Sequence, residues 1–142
     1  SRVIVEYLDD CSASNKLIPQ AALAKISVRR WEALADGVCD AAVAIMLEQR
    51  KAEAAKDAAW MTKQMGKVSR GLTTLNDDLA HRQWCVEDTF SLADVAVGCM
   101  LAYVIMRFAK QIDLAAHYPN LHRLHLRLQA RPSFAGSEPS PY

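Results

Sequence analysis

Apolar residues recur every three or four positions along most of the chain, which is the spacing of an amphipathic helix. The pattern predicts a short helix over residues 1–9, a long helix over about 20–50 and a second long helix over about 55–79. A further helix begins near Pro119 and ends before Pro132, because proline is tolerated only in the first turn of a helix. No segment alternates with a period of two. The predicted fold is therefore all-α, a helical bundle.

Two apolar stripes are predicted to face the core from the two long helices. The stripe on 55–79 advances in steps of four and three over fewer than three heptads, which favours an antiparallel partner within a bundle over a free coiled coil. The stripe on 20–50 consists of Leu23, Ile26, Trp31, Leu34, Val38, Ala42, Ile45 and Met46, and the stripe on 55–79 of Met61, Met65, Val68, Leu72, Leu75 and Leu79.

The segment 92–106 is apolar on almost every side and carries one charged residue, Asp94. A helix of this kind is expected to be buried all round, with its first-turn amides away from water. Ser91 and Asp94 fit the capping box, in which each side chain accepts a hydrogen bond from the other residue's amide. Phe90 and Val95 are placed to close a hydrophobic staple. We therefore predict a structural role for Asp94, with a catalytic acid as the alternative.

Length and charge limit the classes of function. The 142 residues are enough for one domain with a sizeable core, and the formal net charge is +1. No long run of one charge occurs, so binding to nucleic acid or to a membrane surface is not expected. The apolar run 92–106 is shorter than the roughly 18 residues that a membrane span needs.

The spacing of the candidate ligands predicts no metal site. His122 and His125 could lie near each other on one helix, but no further ligand accompanies them. The four cysteines are widely spaced and include no C-x-x-C pair, which favours reduced thiols in a cytoplasmic protein over disulfides or a metal site. Cys99 falls in the apolar helix, where burial would make its thiol a poor nucleophile. The cysteines are Cys11, Cys39, Cys85 and Cys99.

Four stretches, in order, resemble parts of the glutathione transferase family. The first resembles the helix that ends its thioredoxin-like domain. The other three resemble the first long helix, the capping-box segment and the closing helix of the C-terminal helical domain of a bacterial member. The resemblance implies that 1–9 is the last helix of a thioredoxin-like domain that is otherwise missing, 10–19 a linker, 20–135 the helical domain and 136–142 a mobile tail. The stretches are SRVIVEYLDD, RRWEALADGVCDAAV, FSLADVAVGCMLAY and YPNLHRLHLRLQARPSF.

The resemblance implies that the intact protein conjugates glutathione, as a substrate, to a small electrophile and that it is a homodimer without a metal. In this family the thioredoxin-like domain supplies most of the glutathione site and the group that activates its thiol. No catalytic residue is therefore expected in this chain, which alone should be inactive. Ser1 resembles a glutathione contact of the family, with a helix N-cap as the alternative.

In the same family the helical domain contributes the electrophile pocket, largely from its first long helix and the end of the chain. The resemblance therefore makes Trp31, Asp36 and Asp40 candidates for this pocket. The alternatives are core burial for Trp31, and a solvated face for the two carboxylates with Arg29 or Arg30 as ion-pair partner. For the whole protein, the alternatives are a non-catalytic helical protein-interaction module and a glutathione-dependent isomerase or dehalogenase of the same superfamily.

Overall fold

The computed structural model describes residues 2–13 and 16–137, which form seven α-helices and no strand beyond an isolated bridge between Val86 and Thr89. The all-α prediction is confirmed, with helix ends shifted by a few residues. Two helices of four residues each, α5 and α7, were not predicted. In chain order the helices are α1 Arg2–Cys11, α2 Ala22–Gln49, α3 Ala58–Asp78, α4 Leu92–Phe108, α5 Leu114–His117, α6 Pro119–Gln129 and α7 Pro132–Ala135, with a 3-10 turn at Glu53–Ala55.

The core forms where α3 and α4 both pack against α2. Arg30, near the start of α2, pairs at 2.6 Å with Asp78 at the end of α3, so these two helices run antiparallel, as predicted. Four residues of the predicted α3 stripe are almost completely buried. They are Val68, Leu72, Leu75 and Leu79.

The predicted stripe on α2 is partly wrong. Leu23 and Ile26 are 80% and 65% exposed, whereas Ala24, Val28 and Ala35 lie on the buried line. Alanine contributes little hydrophobicity to a sequence pattern, but its small side chain lets neighbouring helices approach closely. The apolar pattern therefore follows the larger residues on the adjacent face of α2 and not the line that is buried.

Two buried glutamates also interrupt the apolar pattern of α2. Glu32 is matched by Arg29, with 2.6 Å between the charged groups. Glu48 pairs with Lys51 at 2.7 Å and accepts a hydrogen bond of 2.9 Å from the amide of Asp57. Lys51 and that amide hold the pKa of Glu48 below its usual range. The Glu48 carboxylate thus fixes the turn that leads from α2 towards α3.

Helix α1 presents its polar side to α2 and leaves its apolar side uncovered. Glu6 forms an ion pair with Arg29, and Arg2 pairs with Asp36 at 3.0 Å. The carboxylate of Asp9, at the end of the helix, accepts a hydrogen bond from the amide of Leu17 at 2.6 Å. The exposed apolar residues of this helix are Val3, Ile4, Tyr7 and Leu8.

The predicted limits of the four segments stay predictions. Within the predicted linker the structure describes residues 10–13 and 16–19, and there Ile18 belongs to the buried core. Residues 138–142 of the predicted tail lie outside the described residues, as does Ser1.

Two helical glycines give matched tests of the packing between α2 and α3. A Cβ atom at Gly71 in α3 would overlap Cγ2 of Val38, whereas one at Gly37 in α2 would meet nothing within 4 Å. We expect Gly71→Ala to lower the free energy of unfolding by about 1–3 kcal/mol, because overpacking outweighs the better helix propensity of alanine. Gly37→Ala should raise it by up to about 1 kcal/mol.

Chemical denaturation of both variants followed by circular dichroism measures these changes. Equal effects of the two substitutions would show that the two helices do not approach as closely as the structure indicates.

Candidate functional site

The start of α4 is a buried polar node centred on Asp94. Its carboxylate has no solvent exposure and accepts hydrogen bonds from the Ser91 amide at 2.9 Å and the Ser91 hydroxyl at 3.1 Å. Both hydrogen bonds of the predicted capping box are present. A further bond of 2.9 Å comes from the amide of Cys85, and the carbonyl of Leu17 accepts one of 2.9 Å from the amide of Leu92. The carboxylate therefore joins α4 to the preceding loop, and the segment between α1 and α2 is attached to the same helix end.

The Cys85 thiol is unsuited to nucleophilic chemistry. Its side chain is fully buried, and burial together with the nearby Asp94 carboxylate raises the pKa of this thiol well above its usual range. Both causes disfavour the thiolate, which is the reactive form. The structure thus gives Cys85 and Asp94 packing and capping contacts.

A large apolar cavity opens beside α4, with a volume of about 560 Å³. We call it the α4 cavity. One wall is a stripe of α4 residues, and the facing walls come from Leu17, Phe90 and the end of the chain around Phe134. The α4 stripe consists of Val95, Cys99, Ala102, Tyr103 and Met106.

The expectation that α4 is buried all round is wrong for the described chain. Cys99 and Met106 are exposed in the α4 cavity, although the opposite side of the helix is completely buried. Apolar composition shows which surfaces a helix can bury, but the neighbours available in the fold decide which of them it does bury. Partial burial still raises the pKa of the Cys99 thiol.

Gly98 allows the end of the chain to form a wall of the α4 cavity. A Cβ atom at this position would lie 2.5 Å from Cε1 of Phe134 and 2.7 Å from Cδ1 of Leu128. Both distances are far below van der Waals contact, so only glycine lets these side chains reach the α4 backbone. The short helix α7 is held against α4 in this way.

A ladder of rings and guanidinium groups fixes the Phe90 wall. The Arg127 guanidinium lies 5.3 Å from the Trp84 ring centroid, Trp84 meets Phe90 edge-on at 5.3 Å, and the Arg131 guanidinium lies 3.7 Å from the Phe90 centroid. Nε of Arg131 is buried and has no hydrogen-bond partner among the described residues, and the Phe90 ring lies against this guanidinium in a cation–π contact. We call these four residues the cation–π ladder.

The sequence-predicted pocket residues lie away from the α4 cavity. Trp31 is 2% exposed and belongs to the core, touching only a small polar recess beside Arg30. The carboxylate of Asp36 is paired with Arg2, a partner that sequence reasoning missed. Neither aspartate, Asp36 nor Asp40, lines the α4 cavity. Ser1, the candidate glutathione contact, lies outside the described residues.

The described residues contain neither a cluster of metal ligands nor a membrane-spanning helix. His122 and His125 line a shallow groove beside the end of α4, but no group of three metal-ligating side chains occurs in residues 2–13 and 16–137. Within those ranges no helix combines the length and the apolar character needed to cross a bilayer.

Replacement of the buried carboxylate tests the polar node. Asp94→Asn turns one oxygen into an amide donor that faces the N–H and O–H donors of Ser91 and Cys85. Because buried donors would lose their acceptor, we expect the free energy of unfolding to fall by about 1–3 kcal/mol. Urea denaturation measures the loss. The control is Asp10→Asn, an exposed aspartate whose replacement should change stability little; equal losses in both variants would contradict the role given to Asp94.

Thiol labelling tests the openness of the α4 cavity. Iodoacetamide should modify Cys11 and Cys99, which are exposed, and should reach Cys85 only after unfolding. Because burial raises the pKa of Cys99 above its ordinary 9.0, its labelling rate should still rise with pH beyond that value. Peptide mass spectrometry gives the rates, with Cys11 as the internal reference. Modification of Cys85 as fast as Cys99 in the folded protein would contradict this arrangement.

Comparison with known proteins gives consistent matches. Residues 58–127 match the family description "Glutathione S-transferase, C-terminal domain". The chain is 31% identical over 139 residues to an uncharacterized GST-like protein, YibF, of Escherichia coli K12, covering 98% of this chain and 68% of that protein. The sequence similarity thus extends well beyond the matched domain.

Two solved structures are also similar. A glutathione S-transferase of Methylobacillus flagellatus KT, with glutathione bound, superposes with a TM-score of 0.94 at 52% identity, over 98% of this chain and 68% of that one. A glutathione S-transferase of Methylobacterium radiotolerans, in complex with glutathione sulfonate, gives 0.93 at 38% identity, over 99% and 66%. The chain thus spans about two-thirds of the length of these relatives.

Proposed function

The chain belongs to the glutathione S-transferase family, and from this premise we propose that the intact protein conjugates glutathione to a small apolar electrophile. The helical domain contributes the electrophile pocket in this proposal, and the α4 cavity is its location. The observation that carries the proposal is this apolar cavity of about 560 Å³, which is of the size that small-molecule sites have in proteins. Two relatives that hold glutathione or its sulfonate support glutathione as the co-substrate.

The proposed reaction is nucleophilic displacement by the thiolate of glutathione. Its sulfur forms a bond to the electrophilic carbon, and the leaving group departs with the bonding electron pair. This chain supplies an apolar wall that excludes water and positions the electrophile. Ser1 is the proposed contact to glutathione within this chain. The group that activates the thiol is proposed to belong to the thioredoxin-like domain, and Cys85 and Asp94 are held in the buried node instead.

The α4 cavity is favoured over the predicted pocket on α2 for a physical reason. The carboxylates of Asp36 and Asp40 would have to lose water beside an apolar substrate, and Asp36 already pairs with Arg2. The α4 cavity offers instead an exposed apolar stripe, and few of its lining residues are polar, Tyr103 and Gln129 among them. Trp31, Asp36 and Asp40 remain a second proposed location. The homodimer and the cytoplasmic location stay predictions.

A cavity-filling variant tests the location of the electrophile pocket. In the intact protein, Ala102→Phe places a ring in the α4 cavity. We expect kcat/KM for a bulky aryl halide to fall about 10-fold or more, and the KM for glutathione to stay unchanged, because loss of pocket volume affects only the electrophile. The measurement is steady-state conjugation over a series of electrophiles of increasing size.

The matched control is Ala59→Phe at the exposed start of α3, a position that lines neither the α4 cavity nor the second proposed location on α2. If Ala102→Phe leaves every electrophile unaffected while Asp40→Ala reduces turnover, the pocket lies on α2 and the proposed location is wrong. If the intact protein conjugates no electrophile but isomerises or dehalogenates one with glutathione, the related superfamily activity replaces conjugation. If it shows no glutathione-dependent reaction and instead captures a protein, the interaction-module alternative is supported.

A further inference from the structure

A second recess lies between α6 and the loop that follows α3, and it shares no residue with the α4 cavity. Its volume is about 560 Å³, and its lining is mainly polar. We call it the arginine recess. The lining residues on which the following steps depend are His81, Arg82, Gln83, Asn120, Arg123 and Arg127.

The three arginines of the recess have no carboxylate partner among residues 2–13 and 16–137. In the part of the chain that the structure describes, none of Arg82, Arg123 and Arg127 forms an ion pair with an acidic side chain. This distinguishes them from Arg2, Arg29 and Arg30, each of which is paired. Three positive groups that face one recess repel each other, and a bound anion would relieve that repulsion.

Two of the guanidinium groups are held in place before any ligand arrives. Arg82 donates a hydrogen bond to the carbonyl of Cys85 at 3.4 Å, and Arg127 donates to the carbonyl of Gln83 while it stacks on the Trp84 ring. A guanidinium carries five N–H donors, so each of these contacts leaves donors for a ligand. Arg123 makes no hydrogen bond to a described residue and has all its donors available.

The backbone around the recess is also fixed. His81 adopts a φ of 64°, a left-handed conformation that is uncommon for a residue other than glycine, and this turn redirects the chain after α3. At the other side, the Asn120 side chain donates a hydrogen bond of 3.0 Å to the backbone carbonyl of Asn76. The backbone amide of Asn120 donates one of 3.0 Å to the side-chain oxygen of Asn76. These bonds tie the start of α6 to α3, so the two sides of the recess keep their separation.

Acidic groups border the recess and limit the size of its occupant. Asp78 lies with Arg82 in the lining of the small polar recess beside Arg30, and it forms an ion pair with Arg30. Asp88 accepts a hydrogen bond from the Gln83 amide at 3.3 Å, which places a carboxylate next to the lining. A long polyanion such as a nucleic acid would meet these carboxylates, whereas a small anion would not.

From this arrangement we infer that the arginine recess is a binding site for a small, multiply charged phosphate-bearing anion, distinct from the α4 cavity. A guanidinium group can donate two parallel hydrogen bonds to two oxygens of one phosphate. Three arginine side chains therefore suit a ligand with two or three negative charges better than a ligand with one carboxylate. The source of the phosphate, whether inorganic or part of a small metabolite, does not alter this recognition chemistry.

Binding is tested on the intact protein with inorganic phosphate and pyrophosphate as probes, at ionic strength held constant with sodium chloride because salt screens exposed charges. Isothermal titration should detect one site per chain, and pyrophosphate should bind more tightly than phosphate. The Arg123→Gln variant removes a side chain without described partners and should therefore fold normally. It should weaken pyrophosphate binding about 10-fold or more, because a charge-assisted hydrogen bond is lost.

The control variant is Arg50→Gln, an exposed arginine at the end of α2, and it should bind pyrophosphate like the unaltered protein. Equal weakening in both variants would show general charge attraction and overturn the site. If citrate bound as tightly as pyrophosphate, the preference for phosphate would be wrong. If an oligonucleotide bound more tightly than pyrophosphate and lost affinity in Arg123→Gln, the proposal of a small ligand would be wrong. Since binding is read without turnover, failure of this site and failure of the proposed activity are distinguishable.

Discussion

The hydrogen bonds of the Asp94 carboxylate are the constraint on which the rest of this structure depends. A carboxylate without solvent exposure is costly unless donors replace its lost water, and here the donors come from Ser91 and Cys85. One group therefore completes the first turn of α4 and fixes the loop before it. Because the amide of Leu92 is bonded to the Leu17 carbonyl at the same helix end, the segment between α1 and α2 is attached there as well. The central helix, the loop and this segment thus meet at one buried node.

Local sequence patterns predicted the parts of this node that are close in the chain. The capping box spans three residues and could be recognised from Ser91 and Asp94 alone, and the long helices followed from their apolar spacing. The bonds from the Cys85 amide and to the Leu17 carbonyl could not be predicted, because they join segments that only tertiary folding brings together. The same limit applies to Asp36, whose partner Arg2 lies 34 positions away.

Apolar periodicity also failed where a helix has two apolar faces. On α2 it could not separate the buried line of small residues from Leu23 and Ile26, which are exposed. On α4 every face is apolar, so the pattern gave no sign that Cys99 and Met106 would remain open in a cavity. A signal did exist in Gly98, a glycine in the middle of an apolar helix, which usually marks a close approach of another segment. That segment is the end of the chain around Phe134.

The loop between α3 and α4 connects the arginine recess to the α4 cavity. Its first part supplies Arg82 and Gln83 to the arginine recess, and its last part supplies Phe90 to the α4 cavity. Trp84 lies between them and contacts both Arg127 and Phe90, so the cation–π ladder spans the distance from one recess to the other. The loop has little regular structure of its own. The ladder holds it at Trp84 and Phe90, and the Asp94 carboxylate holds it at Cys85 and Ser91. Its conformation is therefore determined by side-chain contacts that act on both recesses at once.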